Sequence, residues 1–541
     1  MDVPMLAAWQ RRQAPIRRFD IVLGTGVVLA AYVILDAGWR DALKAALVFM
    51  LGVFPLRHLL QGRSQRIAYG VWASLFALDI GIKSFLIEFY ETKPDAVLII
   101  EAIGNTTRAE TVEFIRQYGP MLLQYALAAA LVLGLLLLLA PDTPPSCARK
   151  PRWAVAILVL FLGLHANPTF SRANPAVFWP AQIPQYWEFA EQVESLADKR
   201  LIAEQKLSLW APTYVGPDEH TVVVVVGKST NRWNWQLYGY PRPTTPQLMH
   251  AARDALVFRD VISATSGTVA SFRLMLTPAE IDKPLDDEAE PSVVLLAKAA
   301  GYKTFWISNQ HDRFINPRYA EEADVVHLVN VGGRRGDRKL DEGLLPYYAA
   351  ALRDPTPRKM IFVHLLGAHP HYELRYPDTF RYFSDGNDPV MTLMRQQNRS
   401  PWVRLQRNLY DNAMRYQDHV IARLLQDFKA QIGAGSGAFL FTADHAQEVG
   451  HTRDFAGHSL SEAGFTVPLL IWLSPPLPAA VSSALEHRPF QTDVLDWTLL
   501  ELAHIRTAFD QPHLSLVSAH FVPQTRLIGG KPYAPSSRNR H

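Results

Sequence analysis

Asp444 and His445 stand side by side in "AFLFTADHAQEVGHT", directly after a short apolar run, with His451 and His458 following. A second apolar run, "MIFVHLLGAHPHY", carries His364, His369 and His371. An aspartate next to a histidine at a strand end, joined by imidazoles from separate loops, is the ligand chemistry of a zinc or two-metal hydrolytic centre. The same spacing also suits ordinary loop histidines, so both readings stand at this level. A nucleophile is offered by "ISATSGTVASF", where Thr265, Ser266 and Thr268 surround Gly267 just ahead of a helix start. A hydroxyl there faces backbone N–H groups able to hold a phosphate, or serves only as a helix cap. Lys228 follows the five-valine run "TVVVVVG", and the carboxyl ends of such buried strands are where open α/β sheets bind ligands.

Only a sheet brings these residues together. From about residue 167 onward, helical patterns alternate with the apolar segments "TVVVVV", "TFWIS", "MIFVHLL", "AFLFTAD" and "VPLLIW". Strands separated by helices imply right-handed crossovers and an α/β fold with a mostly parallel sheet between helices. Lys228, the histidines after the third strand and Asp444 after the fourth would then share one edge.

The first third of the chain is of another kind. Charged residues make up only 19% of the 541 and mean hydropathy is close to zero, an average over two unlike parts. Apolar runs at about 19–38, 43–60, 67–87, 121–140 and 152–166 predict five transmembrane helices, the second and fifth being short or interrupted. Arg11, Arg12, Arg17 and Arg18, then Arg57, Arg63 and Arg66, then Arg149, Lys150 and Arg152 fall in alternate connecting segments. Those segments belong inside, which exports everything after residue 166. The expected layout is a five-span domain at 1–166, a membrane-proximal linker at 167–215 and an exported catalytic domain at 216–541. Cys147, the one cysteine, falls in a cytoplasmic loop, so the exported part holds no disulfide. Asp79 and Lys83, four apart on a helix, can meet and cancel one another's charge, and are expected to be a pair near the membrane interface that tolerates burial. A transporter is disfavoured because most of the mass lies outside with one obvious intramembrane ion pair, and a formylglycine sulfatase because no exported cysteine exists. No nucleic-acid partner is expected.

Taken together, "LYGYPRPTTP", "AGYKTFWISNQ", "FVHLLGAHPHYELRYP", "LYDNAMRYQDHV", "ADHAQEV" and "TVPLLIW" resemble the phosphoethanolamine transferases of Gram-negative inner membranes, within the alkaline phosphatase and sulfatase superfamily. The resemblance covers nearly the whole chain and, within the family, is similar to the subgroup that decorates the lipopolysaccharide core. It implies an alkaline phosphatase/sulfatase-like domain after a membrane domain, with phosphatidylethanolamine as donor and lipid A, core sugar or a periplasmic glycan as acceptor. Thr268 is implied as the transiently phosphorylated nucleophile, Asp444, His445 and Thr268 as zinc ligands, and His369 and His458 as the histidines nearer the departing or arriving group. "AIGNTTRAETVEF" resembles the segment holding the lipid headgroup, with Thr106 and Glu110 at matching positions and Ala102 where the relatives carry asparagine.

Two departures concern charge. The family's zinc-ligating glutamate after the first strand's glycine is Lys228 here, and the family's "DHGE" is "DHAQ", with Gln447 for glutamate. Losing two acids and gaining a base raises the local charge by about three units, close to the charge of a zinc ion. Lys228 and Gln447 are thus expected beside the phosphate, and a weakened or inactive homologue that binds lipid or glycan and regulates a partner is the alternative to a working transferase.

Overall fold

The computed structural model describes residues 20–34, 39–91, 108–141, 150–279, 290–310, 314–330 and 340–535, with isolated positions between them. Two compact units emerge: residues 1–100 with 118–189, and residues 101–117 with 190–541.

The first unit is helical. Its elements are α1 (Asp20–Ile34), α2 (Trp39–Leu59), α3 (Gly62–Tyr90), α4 (Arg108–Leu138, whose first ten residues group with the second unit), α5 (Pro151–Leu164) and α6 (Pro175–Glu194). Among the described residues three helices, Trp39–Leu59, Gly62–Tyr90 and Glu110–Leu138, are long and apolar enough to cross a membrane, while Asp20–Ile34 and Pro151–Leu164 are shorter apolar helices. Small residues let α3 approach its neighbours: a Cβ on Gly81 would sit 3.1 Å from the Ala129 Cβ and 3.2 Å from the Tyr125 carbonyl. Asp79 and Lys83 do pair, at 3.0 Å. The buried carboxylate of Asp79 also accepts from Tyr32 and from the Trp179 indole at 2.8 Å. A local i, i+4 pair is therefore the centre of a network tying α1, α3 and α6, in which both carboxylate oxygens find a donor.

The second unit is built on a sheet of seven strands, β1 (His220–Gly227), β2 (Leu256–Phe258), β3 (Lys303–Ser308), β4 (Val325–Leu328), β5 (Arg358–His364), β6 (Gly437–Ala443) and β7 (Leu469–Ser474), in the order β2-β7-β6-β1-β5-β3-β4. The sheet is mixed. β6, β1, β5, β3 and β4 run parallel, whereas β7 is antiparallel to both β6 and β2. "VPLLIW" resembled the other strands because an apolar run reports burial on two faces and says nothing of direction. Val222, Val224 and Val226 enter one core with Phe272, Met275 and Trp497. Val223 and Val225 enter the other, with Tyr410, Ile421 and Phe428 of the long helix α8 (Pro401–Ile432). The period-two alternation thus makes β1 the hub of both layers.

Register then sets the site. Val226 lies opposite His364 and Gly227 opposite Ala443. The chain continues this pairing past the strand ends: Asp444 N–H donates to Gly227 O at 3.0 Å, Leu365 N–H to Val226 O at 3.0 Å and Ala368 N–H to Lys228 O at 3.0 Å. Lys228, Asp444 and the 365–369 turn are in this way brought to one edge.

Candidate active site

Thr268 is the first residue of the helix Thr268–Leu276 (α9), behind Gly267 as its cap, which makes no side-chain bond to the helix. Thr265 braces the turn before the helix, its hydroxyl accepting from Gly267 N–H at 3.2 Å and donating to Gly267 O at 2.9 Å. The Thr268 hydroxyl is left to face the His445 Nε2, 3.3 Å away. His445 Nδ1 sits 2.9 Å from the Ala446 carbonyl. A carbonyl only accepts, so Nδ1 carries the proton and Nε2 turns its lone pair toward Thr268.

Asp444 Oδ1 accepts from Ser229 N–H at 3.0 Å and from His445 N–H at 2.7 Å. Its Oδ2 is buried without a hydrogen-bond partner and lies 3.5 Å from His445 Nε2. Ser229 reaches this position with φ at +58°, a conformation that costs an L-residue about 1–2 kcal/mol. The sharp turn after β1 is held by the bonds around it.

The other predicted residues are distributed around this centre. His458 packs its ring 4.8 Å from that of His445 and donates from Nδ1 to Ser266 O at 2.8 Å. Removal from water, with the neighbouring His445, pushes the His458 pKa down to about 3. His369 is likewise held well below its ordinary value by removal from water and then by the charge of Lys228. Both imidazoles are neutral at physiological pH, and the same removal from water that keeps them neutral makes them weak bases. Glu110, near the start of α4, stands 3.9 Å from His369 Nε2. Gln447 is buried with its amide tied to protein at both ends, donating to Ser229 Oγ at 3.1 Å and accepting from Tyr372 at 3.3 Å. Lys228, only 6% exposed, donates to Gln310 Oε1 at 3.2 Å. Thr106, Ala102 and Cys147 lie outside the described residues.

The remaining histidines take supporting places. His451 bonds Asn234 at 2.7 Å, His364 packs its ring 4.5 Å from Phe272, and the His371 N–H donates to Gln117. Sequence reasoning overlooked Gln310, although "SNQ" follows a strand just as Lys228 does and the same edge rule would have found it. It also overlooked Asp341, which accepts from Leu366 N–H at 2.8 Å, Gly367 N–H at 2.9 Å and Asn309 at 2.9 Å. Arg375 was missed too. It donates to the His369 carbonyl at 3.1 Å and the Pro370 carbonyl at 2.9 Å, and pairs with Glu113.

A hydroxyl at a helix N-terminus, beside an Asp-His pair beyond the ends of parallel strands, is an arrangement suited to nucleophilic attack on an anionic phosphoryl or sulfuryl group. The sulfatase family profile matches residues 220–505. Phosphoethanolamine transferase CptA of Salmonella typhimurium is 30% identical over 531 residues, covering 92% of this chain and 89% of that protein. Phosphoethanolamine transferase EptC of Escherichia coli is 29% identical over 537 residues, with the same shares covered. The chain therefore belongs to the phosphoethanolamine transferase family, within the alkaline phosphatase and sulfatase superfamily. The zinc complex of the C-terminal periplasmic domain of Escherichia coli EptC superposes with a TM-score of 0.54 at 31% identity, over 60% of this chain and 93% of that one. The integral membrane lipooligosaccharide phosphoethanolamine transferase A of Neisseria meningitidis shares the fold over 93% of this chain and 97% of its own, with a TM-score of 0.61 at 17% identity.

Among the described residues no three His, Cys, Asp or Glu side chains gather into a metal-binding group. What converges is one carboxylate oxygen without a partner, one imidazole lone pair and one hydroxyl. Such a set would give a single zinc ion two conventional ligands, Asp444 and His445, with the Thr268 hydroxyl as a third and only one negative charge among them.

Proposed function

We propose that this chain is a multi-pass enzyme of a bacterial inner membrane that moves phosphoethanolamine from phosphatidylethanolamine to a lipopolysaccharide or periplasmic glycan acceptor. Five spans within 1–166, a linker at 167–215 and a periplasmic domain at 216–541 are the layout we assign to it. The named activity of its relatives supports the reaction. The observation that carries it is the Thr268 hydroxyl at the start of α9, 3.3 Å from the imidazole lone pair of His445.

Thr268 Oγ attacks the phosphorus, an Oγ–P bond forms and the P–O bond to diacylglycerol breaks. His445 Nε2 is the nearest acceptor for the hydroxyl proton. Diacylglycerol departs with a proton, and an acceptor oxygen then displaces Thr268 from phosphorus. The acceptor's proton passes to the Thr268 oxygen as that bond breaks, and the imidazoles of His369 and His458, assigned to the departing and arriving groups, remain neutral there. Glu110, with Thr106, is assigned to the lipid headgroup, and Lys228 and Gln447 to the phosphate side. Were zinc held by Asp444, Thr268 and His445 Nε2, it would occupy that lone pair, and its charge rather than the imidazole would lower the pKa of the Thr268 hydroxyl.

Protein purified from membranes should carry, by intact mass, a phosphoethanolamine adduct that Thr268→Ala abolishes. An adduct that survives in the variant removes Thr268 from the role. If neither adduct nor transfer is found in the wild type, the reading gives way to a lipid- or glycan-binding regulatory homologue.

A further inference from the structure

Lys228 is a buried cation in an unusual setting. With 6% of its surface exposed, it makes no ion pair among the described residues, and its side chain donates to the uncharged amide oxygen of Gln310 at 3.2 Å. An ammonium has three donors, so this bond leaves capacity for an acceptor. Burying a charge without an opposite one is costly, and an anionic ligand offsets that cost.

The setting is also built rather than incidental. Gln310 is oriented by its own donation to Leu365 O at 2.7 Å, which turns its oxygen toward Lys228. The Lys228 backbone is held by Ala368 N–H at 3.0 Å. The neighbouring Ser229 N–H anchors Asp444 at 3.0 Å, so the cation and the Thr268–His445–Asp444 cluster share one turn. Its charge reaches His369 and His458, the two imidazoles beside that cluster. Asp444 Oδ2 is the matching unpartnered group of opposite sign, and the two form no ion pair with each other.

We propose that Lys228, aligned by Gln310, is an anion seat that holds a phosphoryl oxygen of the bound ligand without needing a metal ion. The inference deepens the transferase reading and rests on it for the identity of the anion, a phosphate monoester or diester.

Inorganic phosphate is the probe, titrated into the full-length protein in detergent after metal removal with EDTA, with binding followed by phosphorus NMR and thermal melting. The wild type should bind and be stabilised. Lys228→Met and Lys228→Gln should each lose about tenfold to a hundredfold in affinity, the range of a charge-assisted hydrogen bond. Gln310→Leu, which leaves the charge but removes its alignment, should lose less. Thr268→Ala should keep binding. Equal affinity in wild type and Lys228→Gln, or phosphate binding that appears only after zinc is restored, overturns the seat. Neither of those results touches the adduct at Thr268, and loss of the adduct leaves phosphate binding by Lys228 standing.

Discussion

Gly367 lies directly against the backbone of Lys228: a Cβ on Gly367 would come within 2.7 Å of Lys228 O and 2.8 Å of Lys228 N, and its φ is +56°. Lys228 O cannot move without breaking its bond from Ala368 N–H. Gly367→Ala should therefore destabilise the protein by about 2–4 kcal/mol, the left-handed conformation and the steric overlap adding. Gly239→Ala is the control, since Gly239 has φ at +93° but nothing within 4 Å of its Cβ position. It should cost about 1 kcal/mol. Denaturant midpoints of both variants check the difference, and equal losses would mean that the contact with Lys228 is unimportant.

Arg375 is a positioning residue for His369. Its guanidinium spans two carbonyls and the Glu113 carboxylate, a geometry that a lysine cannot reproduce. Arg375→Lys should lower the turnover number by about tenfold while leaving KM for lipid within about twofold. Initial-rate kinetics in mixed micelles measure it. A rate equal to wild type would show that the 369–370 turn holds its place unaided.

Two acids restored together should recruit metal. Gln447 already lies between the hydroxyls of Ser229 and Tyr372, both of which can donate to a carboxylate, so Gln447→Glu is compatible with its surroundings. Lys228→Glu with Gln447→Glu should raise zinc affinity by at least about tenfold, because each added carboxylate strengthens a site that otherwise has one. Zinc stoichiometry after dialysis against a chelator buffer is the readout. A wild type that already retains one equivalent under those conditions, with no gain in the double variant, would contradict this.

The stability of the sheet should fall in mild acid. His220, at the start of β1, donates from Nε2 to Leu502 O at 2.9 Å and accepts at Nδ1 from Ser436 at 2.7 Å. Removal from water is the main reason its pKa is lowered to about 4. Below about pH 6.5 the unfolded chain takes up a proton that the folded chain refuses until about pH 4, so this contribution is full above 6.5 and shrinks as pH falls through that window. The loss is on the order of 1–3 kcal/mol. His220→Gln should flatten the slope of melting temperature between pH 7 and about pH 4. An unchanged slope would assign the acid sensitivity to other groups.

Much was settled by local pattern. The valines of β1, the strand-to-loop change at Asp444–His445 and a hydroxyl ahead of a helix each depend on neighbours within a few residues, so periodicity and turn chemistry reveal them. Apolar length likewise marks Trp39–Leu59, Gly62–Tyr90 and Glu110–Leu138 as able to span a membrane. Only the tertiary structure could bring Thr268 to His445, 177 residues away, or Lys228 to Gln310, 82 residues away. It also sorted seven similar histidines and acids, leaving Asp444 and His445 beside the hydroxyl while His364, His371 and His451 went to packing and support. Residue type says what a side chain can do, but which side chains meet depends on strand register and on the order of strands in the sheet. Those are set by the summed packing of both faces, a property of the whole chain that no short window contains.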